Sequence, residues 1–134
     1  MNSQSGVGSV LDASAVLALL FQESGAEIVR THLSVGAIGA VSLAEVLAKL
    51  SDHGLPWPDA VEAMAILGLE VIALSETQAQ LSAKMRPMTR AAGLSLGDRA
   101  CFALAAELGA TAVTADRNWA QIAEATGVIV QIIR

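Results

Sequence analysis

Four acidic side chains, Asp12, Glu45, Asp98 and Asp116, have the residue types and the positions that hydrolytic chemistry requires. Asp12 and Asp116 come directly after runs of small and β-branched residues, whereas Glu45 and Asp98 each stand three residues after a serine, in "SLAE" and "SLGD". Carboxylates that gather at one point hold a hard divalent cation, or act as the acid and the base of a hydrolysis. Whether these four gather depends on the elements that carry them.

Short apolar runs alternate with helical patterns along the chain, and no linker or repeat interrupts them. We predict strands over residues 7–12, 37–42, 70–74, 111–115 and 128–133, and helices over 14–23, 24–33, 42–54, 56–68, 75–85 (ending near Pro87), 95–110 and 117–127. The strands are apolar throughout, which is typical of a parallel sheet covered on both faces. The sequence therefore predicts one three-layer α/β/α domain, residues 1–134, with a central five-stranded parallel sheet.

The four acids map to one edge of this predicted sheet. Ligands of such sheets bind outside the carboxyl ends of the strands, where loops lead into helix amino termini. Each acid also has a structural interpretation: Asp12 and Asp116 fit helix N-caps, "SLAE" and "SLGD" fit capping boxes, and Glu45, placed in a first helical turn, pairs with Lys49 one turn on. The caps themselves bring the helix amino termini together, so capping and clustering are compatible.

A cluster of this kind must balance its own charge. Two carboxylates about 5 Å apart repel by roughly 3 kcal/mol at an effective dielectric constant near 20. Either some carboxylates take up protons or a cation lies among them, and helix amino termini favour the ionised form. An all-oxygen set suits Mg²⁺ or Mn²⁺. Zinc is not indicated, because neither His32 nor His53 is expected near these loops; both are interpreted as surface residues at helix ends.

Composition narrows the function classes further. The hydrophobic fraction is 54%, above the usual ~45–50%, so we expect apolar surface that is left over for a partner. No apolar run approaches the ~18–20 residues that span a bilayer, and "MNSQSGVGS" lacks the core of a signal peptide, so we expect a cytoplasmic protein and no membrane segment. The single cysteine, Cys101, cannot close an intrachain disulfide and is expected to be buried in a helix.

The charge distribution leaves room for RNA. The net charge of −5 comes from 13 acids and 8 bases, and leaving out the four candidate site acids gives 9 acids against 8 bases. The excess negative charge is thus concentrated in the proposed site, and the rest of the surface need not repel a phosphate backbone. Four bases within "KMRPMTRAAGLSLGDR", namely Lys84, Arg86, Arg90 and Arg99, could form an RNA-contacting patch, although a solvated helix face explains them equally well.

These stretches resemble the PIN domains of VapC-type toxins. The resemblance rests on "VLDASAVLALL", "VSLAEVLAKL" and "LSLGDRACFALAAELGATAVTADRNW", and it covers essentially the whole chain. It implies a metal-dependent ribonuclease, normally a homodimer, that a cognate antitoxin protein holds inactive. It also implies that a metal-activated water attacks an RNA phosphodiester in line and leaves a 5′-phosphate and a 3′-hydroxyl.

The resemblance assigns roles to individual residues. The family's acids fall on Asp12, Glu45, Asp98 and Asp116, of which Asp12, Asp98 and Asp116 are expected to hold the metal. Three further residues have supporting positions: Ser14 and Thr114 match small hydroxyl residues that help to orient the site, and Asn118 stands where many members carry a further acid. Asn118 ligates only through its carbonyl or a water, so the number of metal ions stays open.

Three functions other than the nuclease make different demands on the sequence. A phosphoacceptor receiver domain needs an acid pair after the first strand and a lysine after the fifth, and the chain has neither. A haloacid-dehalogenase-like phosphatase needs a second Asp two residues after the first, where Ser14 stands. A PIN-like module that binds RNA or protein without cleaving remains the main alternative, although such a module would be expected to lack one of the four acids.

Overall fold

The computed structural model describes residues 6–134, whose strands form one parallel sheet. The strands are β1 (Ser9–Leu11), β2 (Gly36–Gly39), β3 (Glu70–Ile72), β4 (Thr111–Thr114) and β5 (Val130–Ile132). They lie in the order β3-β2-β1-β4-β5, and every neighbouring pair is parallel. The predicted five-stranded parallel sheet is therefore confirmed. Residues 1–5, which belong to the stretch that the signal-peptide prediction concerns, lie outside the described residues.

Helices connect the strands and cover the sheet. They are α1 (Ala13–Leu20), α2 (Ala26–His32), α3 (Ala40–Asp52), α4 (Trp57–Ile66), α5 (Glu76–Lys84), α6 (Arg86–Thr89), α7 (Leu96–Leu108) and α8 (Ala120–Thr126). Short 3-10 turns span Leu33–Val35 and Arg117–Trp119. Over residues 6–134, none of the helices combines the length and the apolar character needed to cross a membrane.

Two hydrophobic clusters lie on opposite faces of the sheet. Leu11 and Val113 belong to the cluster formed with α1 to α4, whereas Val10 and Ala112 belong to the cluster formed with α7 and α8. Consecutive strand residues point to opposite faces, so β1 and β4 contribute to both clusters. This burial explains why the central strands are apolar throughout, and it makes them a rigid support for the residues that follow them.

The start of α3 differs from the prediction. The ladder between β2 and β3 ends at Gly39, which is extended and precedes the helix without a side-chain cap. The chain therefore turns into α3 at Ala40, and Ser42 is a buried helical residue instead of a cap. The predicted capping box over residues 42–45 and the predicted strand end at residue 42 are wrong. Glu45 lies in the second turn of α3, not in the first.

Helix α7 follows the predicted capping pattern at both ends. Ser95 Oγ accepts a hydrogen bond from the Asp98 amide, and the Asp98 carboxylate accepts one from the Ser95 amide, so the capping box is complete. At the other end, Gly109 adopts a left-handed conformation with φ 64°, which favours glycine and stops the helix. Because α7 leads into a parallel strand, it runs antiparallel to the sheet. Its amino terminus therefore lies at the carboxyl ends of the strands.

Candidate active site

Asp12 is the buried centre of the site. It follows β1, its exposed fraction is 4%, and it caps α1 by accepting a hydrogen bond from the Ala15 amide at 2.8 Å. The hydroxyls of Ser14 (2.8 Å) and Thr114 (2.6 Å) donate to the same carboxylate. Burial raises the pKa of Asp12 from 3.8 to about 6, although these hydrogen bonds oppose the shift because they stabilise the ionised form. The predicted capping role of Asp12 is confirmed, and the two predicted supporting residues, Ser14 and Thr114, both contact its carboxylate.

Asp116 follows the neighbouring strand β4. Leu11 pairs with Val113 in the sheet, so the chain positions just beyond them also lie side by side. Thr114 Oγ1 links the two acids: it donates to Asp12, and it accepts a hydrogen bond from the Asp116 amide at 3.0 Å. Asp116 Oδ1 in turn accepts from the Asn118 amide at 2.9 Å and caps the 3-10 turn. The side chain of Asn118 is exposed.

Asp98 reaches the site from the amino terminus of α7. Its Oδ2 is used by the capping box, which fixes the orientation of the carboxylate. Burial raises the pKa of Asp98, and the charge of Asp116 adds to this increase, while Ser95 and Arg99 oppose it. The coupling to Asp116 is a consequence of proximity, since charges farther apart than a Debye length of ~10 Å are largely screened.

Glu45 comes from α3 and packs against α7. Burial raises the pKa of Glu45, and the charge of Asp98 raises it further. Gly97 provides the space: a Cβ atom built on this glycine would lie 2.6 Å from both carboxylate oxygens of Glu45. The side chain of residue 97 must therefore be absent for the Glu45 carboxylate to keep this position.

All four predicted acids line one pocket. The pocket has a volume of about 280 Å³, and its wall consists of Asp12, Ala13, Ser14, Leu17, Glu45, Lys49, Asp98 and Asp116. The electrostatic coupling runs through Asp98, which raises the pKa values of Asp12 and Glu45 and is itself affected by Asp116. We refer to this pocket as the acid pocket.

The donor set suits a hard divalent ion by type, but it does not form a closed cage. Among residues 6–134, no group of three or more His, Cys, Asp or Glu side chains is arranged to hold a metal ion. Mg²⁺ commonly takes one or two carboxylates and keeps several of its waters. The carboxylates of the acid pocket therefore fit an ion that is held partly through water.

The predicted basic patch divides into two parts. Lys84, Arg86 and Arg90 are exposed on or beside α5 and α6. Arg99 is half-buried, and its guanidinium donates to the Ser82 carbonyl at 3.0 Å, which ties α7 to α5. Arg99 therefore has a structural contact, whereas the other three bases are free to meet a ligand.

Three residues near the acids were not predicted as site residues. Lys49 lines the acid pocket but forms no ion pair with Glu45 within 4.0 Å, so the predicted pairing is wrong; Gly97 makes room for Glu45. His53 is an exposed residue at the end of α3, as expected, and it lines a cavity that adjoins the acid pocket. His32 is near β1 and β5 instead, where it contacts Ser9 and Gln131. The available signal was the four-residue spacing of Glu45, Lys49 and His53, the last of which is the C-cap of the same helix.

An apolar cavity lies between α3, α4 and β3, and none of the four acids lines it. It has a volume of about 210 Å³, and its wall includes Leu43, Leu47, Val61, Met64 and Val71. Val61 and Val71 are exposed, as is Ile66 on the same helix as Val61. The composition predicts leftover apolar surface without placing it, and these exposed residues supply such surface. Cys101 is buried in α7, as expected.

The sequence and the fold were compared with known proteins. A family model described as the PIN domain matches residues 9–125. No curated protein sequence matches the chain.

Solved structures of toxin–antitoxin complexes share the fold. The structure of VapBC2 from Rickettsia felis bound to a promoter DNA fragment contains a chain with a TM-score of 0.71 and 17% identity, covering 94% of this chain and 98% of that chain. A chain of a toxin–antitoxin complex from Klebsiella pneumoniae has a TM-score of 0.68 and 21% identity, and the match covers 91% of this chain and 96% of that chain. A chain of VapBC-1 from nontypeable Haemophilus influenzae has a TM-score of 0.68 and 19% identity, and the match covers 92% of this chain and 96% of that chain. At these identities the likeness concerns the fold.

Proposed function

Because the chain belongs to the PIN domain family, we propose that it is a Mg²⁺-dependent endoribonuclease, the toxin component of a type II toxin–antitoxin system. One observation carries the proposal: four carboxylates from two helices and two strand ends line one pocket, and three of them have raised pKa values. Burial and neighbouring carboxylates raise these pKa values because they disfavour the negative charge, and a bound divalent cation would offset the same negative charge. Mn²⁺ would serve in the same positions.

The proposed roles follow from the position of each side chain. Asp12, Asp98 and Asp116 would hold the ion, directly or through water, and Glu45 would hold it or orient the attacking water. Thr114 and Ser14 fix the Asp12 carboxylate, and the capping box fixes Asp98. A bound divalent ion would lower the pKa of a water and offset the charge that develops on the phosphate. The expected products are a 5′-phosphate and a 3′-hydroxyl.

The proposed partners fit the exposed apolar surface. The neighbouring structures from Rickettsia felis and Haemophilus influenzae are of VapBC proteins, and the one from Klebsiella pneumoniae is a toxin–antitoxin complex. We propose that this chain likewise has a cognate antitoxin and that it forms a homodimer. The apolar cavity between α3 and α4 and the exposed residue Ile66 offer surface for such contacts.

The experiment that tests the function compares purified wild-type protein with Asp116→Asn on total RNA. We expect wild-type protein to cut RNA at a few positions with Mg²⁺ and not with EDTA. For Asp116→Asn we expect a loss greater than the roughly 10–100-fold that follows removal of an outer-shell partner of a metal site. Asp59→Asn is the matched control, because Asp59 is an exposed acid on α4 outside the acid pocket.

The same experiment separates the main alternative. A PIN-like module that binds RNA or protein without cleaving is favoured by one observation, the lack of a three-ligand metal group in residues 6–134. Unchanged RNA in the presence of Mg²⁺ and Mn²⁺ would support that module. Cleavage that continues undiminished in EDTA would contradict the metal-dependent mechanism.

A further inference from the structure

A second cavity opens beside the acid pocket. It has a volume of about 320 Å³, and it shares Ser14, Leu17 and Lys49 with the acid pocket. The two cavities therefore adjoin each other on the surface. We call the second one the Lys49–His53 cavity. An RNA strand whose cleaved bond lies at the four acids must place the next nucleotide in an adjoining space, and the Lys49–His53 cavity provides such a space.

Lys49 is placed to hold a phosphate at the junction of the two cavities. Its side chain is exposed, and within residues 6–134 it forms no ion pair within 4.0 Å. The other cation that lines the cavity, Arg134, is already paired with Glu23 at 3.1 Å. Since the acid pocket repels phosphate, a cation beside it offsets the repulsion for a polyanionic chain.

The hydrogen-bond state of His53 matches a donor on the substrate. His53 Nδ1 lies 2.9 Å from the Lys49 carbonyl oxygen, which can only accept, so Nδ1 carries the proton. In the neutral ring, Nε2 is then a lone-pair acceptor, and it has no protein partner among the described residues. Phe21 contacts the ring with a centroid separation of 4.7 Å, so the orientation of His53 is held from two sides.

The acceptor distinguishes RNA from DNA. Phosphate oxygens in a nucleic-acid backbone only accept hydrogen bonds, whereas the ribose 2′-hydroxyl also donates one. Of the backbone groups of an RNA strand, the 2′-hydroxyl is thus the one that complements Nε2 of neutral His53. Phe21 supplies an apolar wall to the same cavity, against which a sugar can pack.

We propose that the Lys49–His53 cavity holds the nucleotide next to the cleaved bond, with the Lys49 ammonium on its phosphate and His53 Nε2 accepting its 2′-hydroxyl. The proposal rests on the proposed ribonuclease function and adds the residues that select RNA. Lys49 and His53 are binding residues in this scheme, and they take no part in the bond-breaking step.

The test uses Lys49→Met and His53→Phe, with Arg30→Ala as the matched control. Both binding residues are exposed, and Phe keeps the ring that packs on Phe21, so thermal melting is expected to show wild-type stability. Arg30 is an exposed cation on α2 that lines neither cavity. The substrates are a short oligoribonucleotide that spans a mapped cut site and versions with one 2′-deoxynucleotide on either side of the cut.

We expect Lys49→Met to raise KM with little change in kcat. The slope of log KM against log salt concentration should fall by about 0.7, because one protein contact with a phosphate of a single-stranded nucleic acid contributes about that much to the slope. For wild-type protein, one of the 2′-deoxy substitutions should raise KM about five-fold, as expected for one hydrogen bond. In His53→Phe the same substitution should have no further effect. Arg30→Ala should behave as wild type.

A binding measurement separates this proposal from the proposed function. Affinity for a short mixed-sequence single-stranded RNA and for DNA of the same composition is measured in the Asp116→Asn background. If wild-type protein cuts no RNA but His53→Phe loses the preference for RNA, the nuclease proposal fails and the binding site stands. If wild-type protein cuts RNA and both variants keep its KM, salt slope and 2′-deoxy effect, the Lys49–His53 cavity is not a nucleotide site.

Discussion

The substitution Gly97→Ala provides a stringent test of the role of Glu45. The added Cβ would lie 2.6 Å from both carboxylate oxygens of Glu45, whereas ordinary van der Waals contact begins at 3.4 Å, so the carboxylate must retreat by about 0.8 Å. Displacement of a catalytic group by about 1 Å can cost roughly 100-fold in rate. We therefore expect kcat/KM for RNA cleavage to fall about 10–100-fold, which corresponds to roughly 1.4–2.7 kcal/mol of transition-state stabilisation.

Protein stability should not follow activity in this variant. The atoms that clash are the end of a flexible side chain, and Ala favours a helix over Gly by up to about 1 kcal/mol. The melting temperature of Gly97→Ala should thus equal or exceed that of wild-type protein. Gly39→Ala is the matched control, because its Cβ would lie 3.5 Å from Leu104, an ordinary contact, and would not meet Glu45.

The assay is a double-mutant cycle with Glu45→Ala, using the mapped oligoribonucleotide as substrate. If Gly97 acts through the position of Glu45, adding Gly97→Ala to Glu45→Ala should lower kcat/KM no further. Wild-type activity of Gly97→Ala, or an equal loss in the presence and the absence of Glu45, would refute the reasoning.

Three further predictions follow from the site. Burial raises the pKa of Asp12 from 3.8 to about 6, so in EDTA the stability that protonated Asp12 contributes should be present below about pH 4 and lost as the pH rises through about 6, by roughly 3 kcal/mol. Urea unfolding should show that the free energies of unfolding of wild-type protein and Asp12→Asn converge at low pH. A difference between them that stays constant with pH would contradict the pKa shift. Mg²⁺ at about 100 times its Kd should stabilise the protein by up to roughly 2.7 kcal/mol at about pH 8 and by less at about pH 5, and calorimetry that detects no pH dependence would exclude a site built on these carboxylates. Arg99→Ala should lower the melting temperature because it removes the hydrogen bond to the Ser82 carbonyl. Arg90→Ala should leave the melting temperature unchanged and weaken RNA binding through the predicted basic patch. Equal melting temperatures for the two variants would show that the Arg99 contact does not stabilise the protein.

The sequence by itself determined the layered fold and the edge at which the acids lie. Uniformly apolar strands predict a sheet that is buried on both faces, because only burial on both sides removes the need for alternating polar residues. The Ser95–Asp98 capping box and Gly109 mark the limits of α7 through purely local hydrogen bonds and backbone conformation, so they could be predicted residue by residue.

Tertiary structure decided what the local pattern left open. "SLAE" and "SLGD" have the same capping signature, yet only the second forms a capping box, because the strand ladder ends at Gly39 and α3 begins before Ser42. Because of that shift of less than one turn, Glu45 lies in the second turn of α3, and its carboxylate lies against Gly97 of α7.

The free Lys49 and the nearby His53 likewise depend on long-range packing. Their four-residue spacing shows that they lie on the same side of α3 and its C-cap. The contacts of α3 with α1 and α7, which are far away in sequence, determine that this side faces the two cavities. Caps and strand burial are determined within a few residues, whereas the distances between carboxylates on two helices and after two strands depend on how those helices pack on the sheet. Local sequence therefore specified the groups at the site, and only packing specified which of them come into contact.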